Sequence, residues 1–122
     1  MKYMLLVYLN EQALSDTERE HCYVESAQLA RDLSDKGKYL SAGPLHPVAM
    51  ATSVRVRNGK RLVTDGPFAE TREQLGGYYL IDAQDLDEAM RIAGRVPVAK
   101  VGTIEIRPVL EIKGLPNQEG AK

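Results

Sequence analysis

The chain has 122 residues, a length that suits one domain with a modest hydrophobic core. Its 16 basic and 17 acidic residues leave a formal net charge of −1, which argues against nucleic acid as the main partner because phosphate binding needs a basic surface. No run approaches the ~18 apolar residues of a membrane span, and the apolar N-terminal run lacks a signal-peptide cleavage site, so we expect no membrane association and a cytoplasmic location.

The first predicted elements are a strand and a helix. Residues 2–9, KYMLLVYL, form an apolar run of strand length, which is typical of a central strand covered on both faces. A helix is predicted to begin at Ser15 or Asp16, because Glu18 stands where a capping box needs it, and to end at Gly37. Its apolar stripe, at helical spacing, consists of Cys22, Ser26, Leu29, Ala30 and Leu33.

The middle of the chain predicts a second strand followed by a hairpin. Residues 38–45, KYLSAGPL, form a strand that runs into a Gly-Pro break. Residues 53–64 predict a β-hairpin, because Asn58 and Gly59 suit a two-residue type I′ turn. We interpret the basic residues of the hairpin as charge that keeps an exposed edge soluble, before any role in anion binding: Arg55, Arg57, Lys60 and Arg61.

The last third predicts a strand, a helix and a strand. Residues 76–82, GGYYLID, read as another central strand. Asp85 caps the second predicted helix, Gly94 ends it, and residues 102–109 alternate as an edge strand does. The apolar stripe predicted for this helix consists of Leu86, Ala89, Met90 and Ala93.

This order, β-α-β, hairpin, β-α-β, predicts an α+β ferredoxin-like fold with both helices on one face of the sheet. We place the domain at residues 1–112 and a flexible C-terminal tail at residues 113–122. Because two short helices cover one face and the central strands are apolar on both, we predict a homodimer through the uncovered sheet faces.

One long segment resembles a known family. Residues 54–90, which contain the stretch TDGPFAETREQLGG, are similar to the signature region of the DGPF family within the YCII-related superfamily. The flanking stretches MKYMLLVY, AGPLHP and GTIEIRPV stand where that family has its first strand, the end of its second strand and its last strand. The resemblance implies a ferredoxin-like protomer that dimerises into a dimeric α/β-barrel with a cleft beside the sheet.

The resemblance also implies two candidate catalytic residues. Some YCII-like proteins resemble small enzymes in which a His and an Asp face one another, a dehalogenating lyase among them. By motif the Asp is Asp65 and the His is His46. If the two meet, the carboxylate would orient the imidazole and raise its basicity, giving a general base for proton abstraction with loss of a leaving group. The structural alternatives are an Asx turn, in which Asp65 accepts a backbone N–H two residues on, and a half-buried polar tip for His46.

The segment around the motif supplies further candidate ligand-binding residues. Phe68 is interpreted as the plug that anchors the loop across the mouth of the cleft. Glu70 and Arg72 follow it, and Arg72 either holds an anionic group or is a solvated loop charge. Tyr78 and Tyr79 are consecutive in a strand and therefore point to opposite faces, so that one lines the pocket or both are core aromatics.

Two functions of different classes remain open. One is a small metal-independent enzyme that uses His46 and Asp65 on a small molecule; the other is a non-catalytic binding or regulatory module, since DGPF-type proteins resemble partners of alternative sigma factors. We predict no cofactor, because phosphate-binding glycine motifs are missing, and no metal, because Cys22 and two histidines form no closed ligand set. Contact between His46 and Asp65 in a concave pocket would favour the enzyme.

Overall fold

The computed structural model describes residues 1–116; the end of the predicted tail, residues 117–122, lies outside them, and the domain boundary near residue 112 stays a prediction. No helix in this part of the chain is long and apolar enough to cross a membrane. In chain order the strands and α-helices are β1 (Lys2–Leu9), α1 (Asp16–Asp35), β2 (Tyr39–Pro44), β3 (Thr52–Arg57), β4 (Lys60–Asp65), β5 (Gln74–Asp82), α2 (Leu86–Arg95) and β6 (Thr103–Pro108).

The main sheet has four strands in the order β2-β5-β1-β6, and every neighbouring pair is antiparallel. β1 and β5 are central and β6 is an edge strand, as the apolar and alternating patterns predicted. With both helices on one face, this arrangement confirms the predicted α+β ferredoxin-like fold.

The hydrophobic core lies between the helices and one face of this sheet. Tyr3, Leu5 and Val7 alternate along β1 and pack with Tyr79 and Ile81 of β5. The helices close the core with Leu29 and Leu33 from α1 and with Ala89, Ile92 and Ala93 from α2. The opposite face of the sheet, which we call the open face, is half-buried in the protomer and carries Met4, Leu6, Tyr8, Tyr78 and Leu80. Within the protomer, the helices therefore cover only one face of β1, although the sequence predicted that both faces are covered.

Both ends of α1 follow local sequence rules. The Glu18 N–H donates to Ser15 Oγ over 3.1 Å and the Ser15 N–H donates to Glu18 Oε1 over 2.8 Å, which is the predicted capping box. At the other end the Lys38 N–H bonds the Leu33 carbonyl over 2.8 Å, and the Gly37 N–H bonds the carbonyl of Ser34, as in a Schellman motif. The helix is thus held where the sequence places it.

α2 departs from its prediction at its end and on its surface. Asp85 caps it as expected, by accepting the Glu88 N–H over 2.9 Å. Gly94 does not end it, because the helix runs to Arg95 and the residue before Pro97 then takes an extended conformation. Ile92 belongs to the buried face, whereas two members of the predicted stripe are 49% exposed, Leu86 and Met90.

β3 and β4 form a separate two-stranded sheet. Asn58 and Gly59 have φ values of 52° and 74°, so the predicted type I′ turn is confirmed. The hairpin is exposed along nearly its whole length, and its two faces differ. The register places Val54, Val56 and Val63 on one face together with Arg61, and it places Arg55, Arg57 and Lys60 on the other together with Leu62.

Candidate functional site

A cleft of about 580 Å³ opens where β1 ends. Residues drawn from 45–51 form one wall, residues drawn from 67–75 form the second, and Tyr8 and Ser53 complete the lining. We call this space the loop cleft. Because Tyr8 also belongs to the open face, the cleft and that face are continuous.

Hydrogen bonds from the segment after β1 hold the two walls. Glu11 Oε2 accepts the Val48 N–H over 2.9 Å, which ties the first wall. The Glu11 N–H donates to Gln74 Oε1 over 3.0 Å, and Gln74 Nε2 donates to the Thr71 carbonyl over 2.7 Å. These two bonds connect the same segment to the second wall. Sequence analysis missed Glu11 and Gln74, because their partners across the cleft are far away in the sequence and leave no local pattern.

The corner of the DGPF motif is held without the Asp65 carboxylate. The Gly66 N–H donates to the Ala51 carbonyl over 2.7 Å, and Ser53 Oγ donates to the Gly66 carbonyl over 2.8 Å. Gly66 has a φ of 97°, which favours glycine. Within residues 1–116 the Asp65 side chain accepts no hydrogen bond. The Asx-turn interpretation is therefore wrong, because the residue two positions on, Pro67, has no N–H to donate.

His46 lies in the first wall of the loop cleft. It is exposed, so the interpretation as a half-buried tip is wrong for the protomer. In the part of the chain that the structure describes, no hydrogen bond or ion pair joins it to Asp65, which lies outside the lining. Of the described residues that line the cleft, His46 alone has a side chain of the type that changes its charge near neutral pH.

The loop that follows the corner is at the surface. Phe68 lines the cleft but is 81% exposed, so the prediction that it plugs and anchors the loop is wrong. Apolar character alone favoured burial, yet nothing in the described protomer covers this loop. Glu70 and Arg72 are exposed and lie outside the lining, so their ligand-binding role stays a prediction.

Tyr78 and Tyr79 point to opposite faces of β5, as predicted. Tyr79 is buried against the helices and its O–H donates to the Ser26 carbonyl over 3.3 Å. Burial raises the pKa of Tyr79, so this hydroxyl stays protonated. Tyr78 lies on the open face, with its hydroxyl 3.3 Å from Ser41 Oγ and its ring against Gly43. Neither tyrosine lines the loop cleft.

Both tyrosine residues instead border a second space between α1 and the sheet, which we call the helix–sheet cavity, although only the Tyr79 side chain points to the helices. Its volume is about 240 Å³. Residues that sequence analysis assigned to one site are thus divided between two, with His46 and Phe68 in the loop cleft and Tyr78 and Tyr79 at the helix–sheet cavity.

With this geometry described, comparison with known proteins gives the family. The sequence model of the YCII-related domain matches residues 1–113. The chain belongs to the YCII-related family. An uncharacterised protein of Rhizobium meliloti (strain 1021) is 42% identical to this YCII-related protein over 118 residues, which cover 89% of this chain and 92% of that protein.

A solved structure similar to this YCII-related protein is that of 5-chloro-2-hydroxyhydroquinone dehydrochlorinase from Burkholderia phenoliruptrix AC1100, in complex with 2,5-dihydroxybenzoquinone. The likeness covers 93% of this chain and 97% of that one, with a TM-score of 0.57. At 15% sequence identity it shows a shared fold and carries no assignment of residues.

Proposed function

We propose that this YCII-related protein binds a small, largely apolar, ring-shaped molecule in the loop cleft, and that His46 transfers a proton to or from it without a metal. The observation that carries the proposal is the position of His46. It presents an imidazole to a cleft of about 580 Å³ whose other described lining residues carry no Asp, Glu, Lys or Arg side chain. The lining side chains therefore offer no second acid–base group that titrates near neutral pH, and the Glu11 carboxylate behind the first wall is engaged by the Val48 N–H.

The reaction class that fits is elimination. An unprotonated His46 nitrogen would remove a proton from a carbon next to a carbonyl group. The electron pair of the broken C–H bond would form a double bond, and a leaving group on the neighbouring carbon would depart with its own electron pair. The similar structure is named a dehydrochlorinase and holds a dihydroxybenzoquinone, which supports this class by analogy of fold alone.

Asp65 enters the proposal as a residue that positions His46 when ligand is bound. It stands directly before the loop that carries Phe68, Glu70 and Arg72. Catalytic hydrogen bonds are often long in a ligand-free enzyme and shorten in the complex. We therefore propose that this loop folds over the ligand and gives Phe68 the apolar contact that it lacks in the protomer. The Asp65 side chain, which accepts no hydrogen bond within residues 1–116, would turn toward His46 from the fixed corner.

The open face is proposed as the interface of a homodimer. Met4, Leu6 and Leu80 lie in the centre of a sheet whose helices cover the other face. An apolar sheet face is most simply covered by the same face of a second copy, which gives a closed two-fold assembly. Because Tyr8 belongs to both surfaces, the partner copy would lie beside the loop cleft.

A second candidate function is a non-catalytic module. The observation that favours it is the absence of a hydrogen bond or ion pair between His46 and Asp65 within residues 1–116. A module would bind its small molecule in the same cleft and release it unchanged, and the resemblance of DGPF-type proteins to partners of alternative sigma factors suits a regulatory role. Turnover therefore separates the two candidates.

The test is a thermal-shift screen of small ring compounds that includes 2,5-dihydroxybenzoquinone, because a ligand raises the melting temperature of the state that it binds. For each hit, His46→Gln should lower turnover by about 10²-fold or more, because the amide cannot accept and return a proton at neutral pH. The matched control is His21→Gln, which changes the other histidine, an exposed residue of α1.

Turnover of the hits separates the candidates, and the His46→Gln variant tests the role of His46. Binding with turnover that depends on His46 and not on His21 supports the enzyme. Binding without any chemical change supports the module. Equal binding and turnover in wild type and His46→Gln would overturn the role proposed for His46.

A further inference from the structure

The helix–sheet cavity is separate from the loop cleft. Residues of α1 between Cys22 and Ala30 form one wall, and Ala42 of β2 and Tyr79 of β5 belong to the facing wall. Val96 and Val98, from the segment after α2, complete the lining. None of the described lining residues is shared with the loop cleft. A molecule in one space therefore leaves the other accessible.

Small side chains and one hydrogen bond explain why this volume exists. Ser26, Ala27 and Ala30 of α1 face Ala42, so no large side chain fills the space between helix and sheet. The buried residues of α1 are confined to its second half. The bond from the Tyr79 hydroxyl to the Ser26 carbonyl fixes the middle of the helix at its distance from the sheet. The space opens to solvent beside Tyr23 and Ala27, which are exposed, so a ligand can enter it.

We propose that the helix–sheet cavity is a second binding site, for an uncharged and largely apolar molecule of one or two rings. Its size supports this class, because an apolar protein cavity of about 150 Å³ already binds benzene, and this one is about 240 Å³. Its lining supports it too, since the described lining residues carry no Asp, Glu, Lys, Arg or His side chain.

The polar groups at the cavity stay neutral. Burial, helped by the nearby carboxylates of Glu25 and Glu18, raises the pKa of the Cys22 thiol, so it stays protonated at neutral pH. Tyr79 stays protonated for the same main reason. A bound anion would find no opposite charge in the lining and would meet repulsion from these two carboxylates, which limits the site to uncharged molecules.

Indole is a suitable probe, because the chain contains no tryptophan and indole fluorescence can be excited where tyrosine does not absorb. We expect indole to bind with a saturable change in fluorescence. Indole-3-acetate, which adds a carboxylate to the same ring, should bind at least about tenfold more weakly. Equal binding of the two probes, or no saturable binding of indole, would overturn the proposal.

Two readouts locate the bound probe. Indole should slow the alkylation of Cys22 by iodoacetamide, because the thiol lies in the wall of the cavity. Ala30→Leu should fill the space and lower, by about tenfold or more, the indole affinity that Cys22 protection reports. Ala27→Leu, at an exposed position on the same wall, should act likewise where Ala30→Leu impairs folding. Ala69→Leu, in the loop cleft, is the matched control: it should affect only indole that binds in that cleft, and it should leave the protection of Cys22 unchanged.

The contrary results are equally definite. Protection of Cys22 by indole that survives both cavity variants, or that is lost in Ala69→Leu alone, would place the probe elsewhere and overturn the proposal. Cys22 alkylation that slows as protein concentration rises, with no indole present, would show that a second copy covers the cavity, and would also overturn it.

Discussion

The carboxylate of Asp65 ends β4 with no hydrogen-bond partner within residues 1–116, so substitutions there separate folding from ligand binding. We expect Asp65→Asn and Asp65→Ala to change the free energy of unfolding by no more than about 0.5 kcal/mol, as at other surface sites. Ligand binding or turnover should fall in both, because each removes the negative charge. Urea unfolding and the hits of the thermal-shift screen provide the two measurements. Unchanged binding in Asp65→Asn would exclude the positioning role.

Ser53→Ala is the matched comparison for the stability of the same corner. Ser53 Oγ donates to the Gly66 carbonyl, so its removal should cost about 1 kcal/mol. A larger loss in Asp65→Ala than in Ser53→Ala would show that the carboxylate, after all, supports the turn.

At this scale the sequence predicts residues whose role is local. Ser15 and Glu18 cap a helix by contacts three residues apart, and Asn58 and Gly59 make a turn by their own dihedral angles, so both were foreseen. Phe68 was not, because burial depends on what else covers the loop, and hydrophobicity alone does not report that.

At the scale of elements, α2 offers a stabilising substitution. Gly94 lies inside the helix with nothing within 4 Å of the place where a Cβ would stand. Gly94→Ala should therefore raise the free energy of unfolding by about 0.5–1 kcal/mol, since glycine is a poor helix former. Gly102→Ala is the opposing control, because its Cβ would stand 2.1 Å from the Tyr8 carbonyl oxygen. Urea unfolding of the two variants should show shifts of opposite sign.

The connection between the two walls of the loop cleft predicts an asymmetry at Glu11. Glu11→Ala should lower the free energy of unfolding by about 1.5–3 kcal/mol, because the Val48 N–H loses a charged acceptor. Glu11→Gln keeps an oxygen that can accept the same bond and should retain most of the stability, as measured by urea unfolding. Equal losses in both variants would mean that charge, and not the hydrogen bond, holds the wall.

The strands and helices of this chain were predictable to the extent that each carries its own pattern. Apolar runs predicted the central positions of β1 and β5. The alternation of apolar and charged residues predicted that β6 is an edge strand. The end of α2 was predicted wrongly, because a glycine allows a helix to end but does not force it to. The helix instead ends at Arg95, where the residue before Pro97 is extended. The cleft walls were missed because their bonds join distant segments.

For the whole molecule, the open face predicts a dimer that a single charge should disrupt. Leu6→Lys places a charge at the centre of that face, and we expect sedimentation to change from dimer to folded monomer at micromolar concentration. The wild-type interface should bury more than about 1,000 Å². Val24→Lys, on an exposed position of α1, is the control and should leave the dimer intact. A wild-type chain that sediments as a folded monomer would defeat the prediction.

The hairpin of β3 and β4 forms a sheet of its own, outside the four-stranded sheet and its core. Two strands alone are only marginally stable in water, so this hairpin can open while the rest of the chain stays folded. Its backbone amides should then exchange with deuterium through local opening, whereas the amide of Leu5 in β1 waits for global unfolding. A ligand or partner that binds the hairpin or the adjoining cleft should slow exchange of the hairpin amides. It should leave exchange of the Leu5 amide unchanged. The deuterium-exchange rate of the hairpin amides should therefore report whether a molecule is bound there, without any added label.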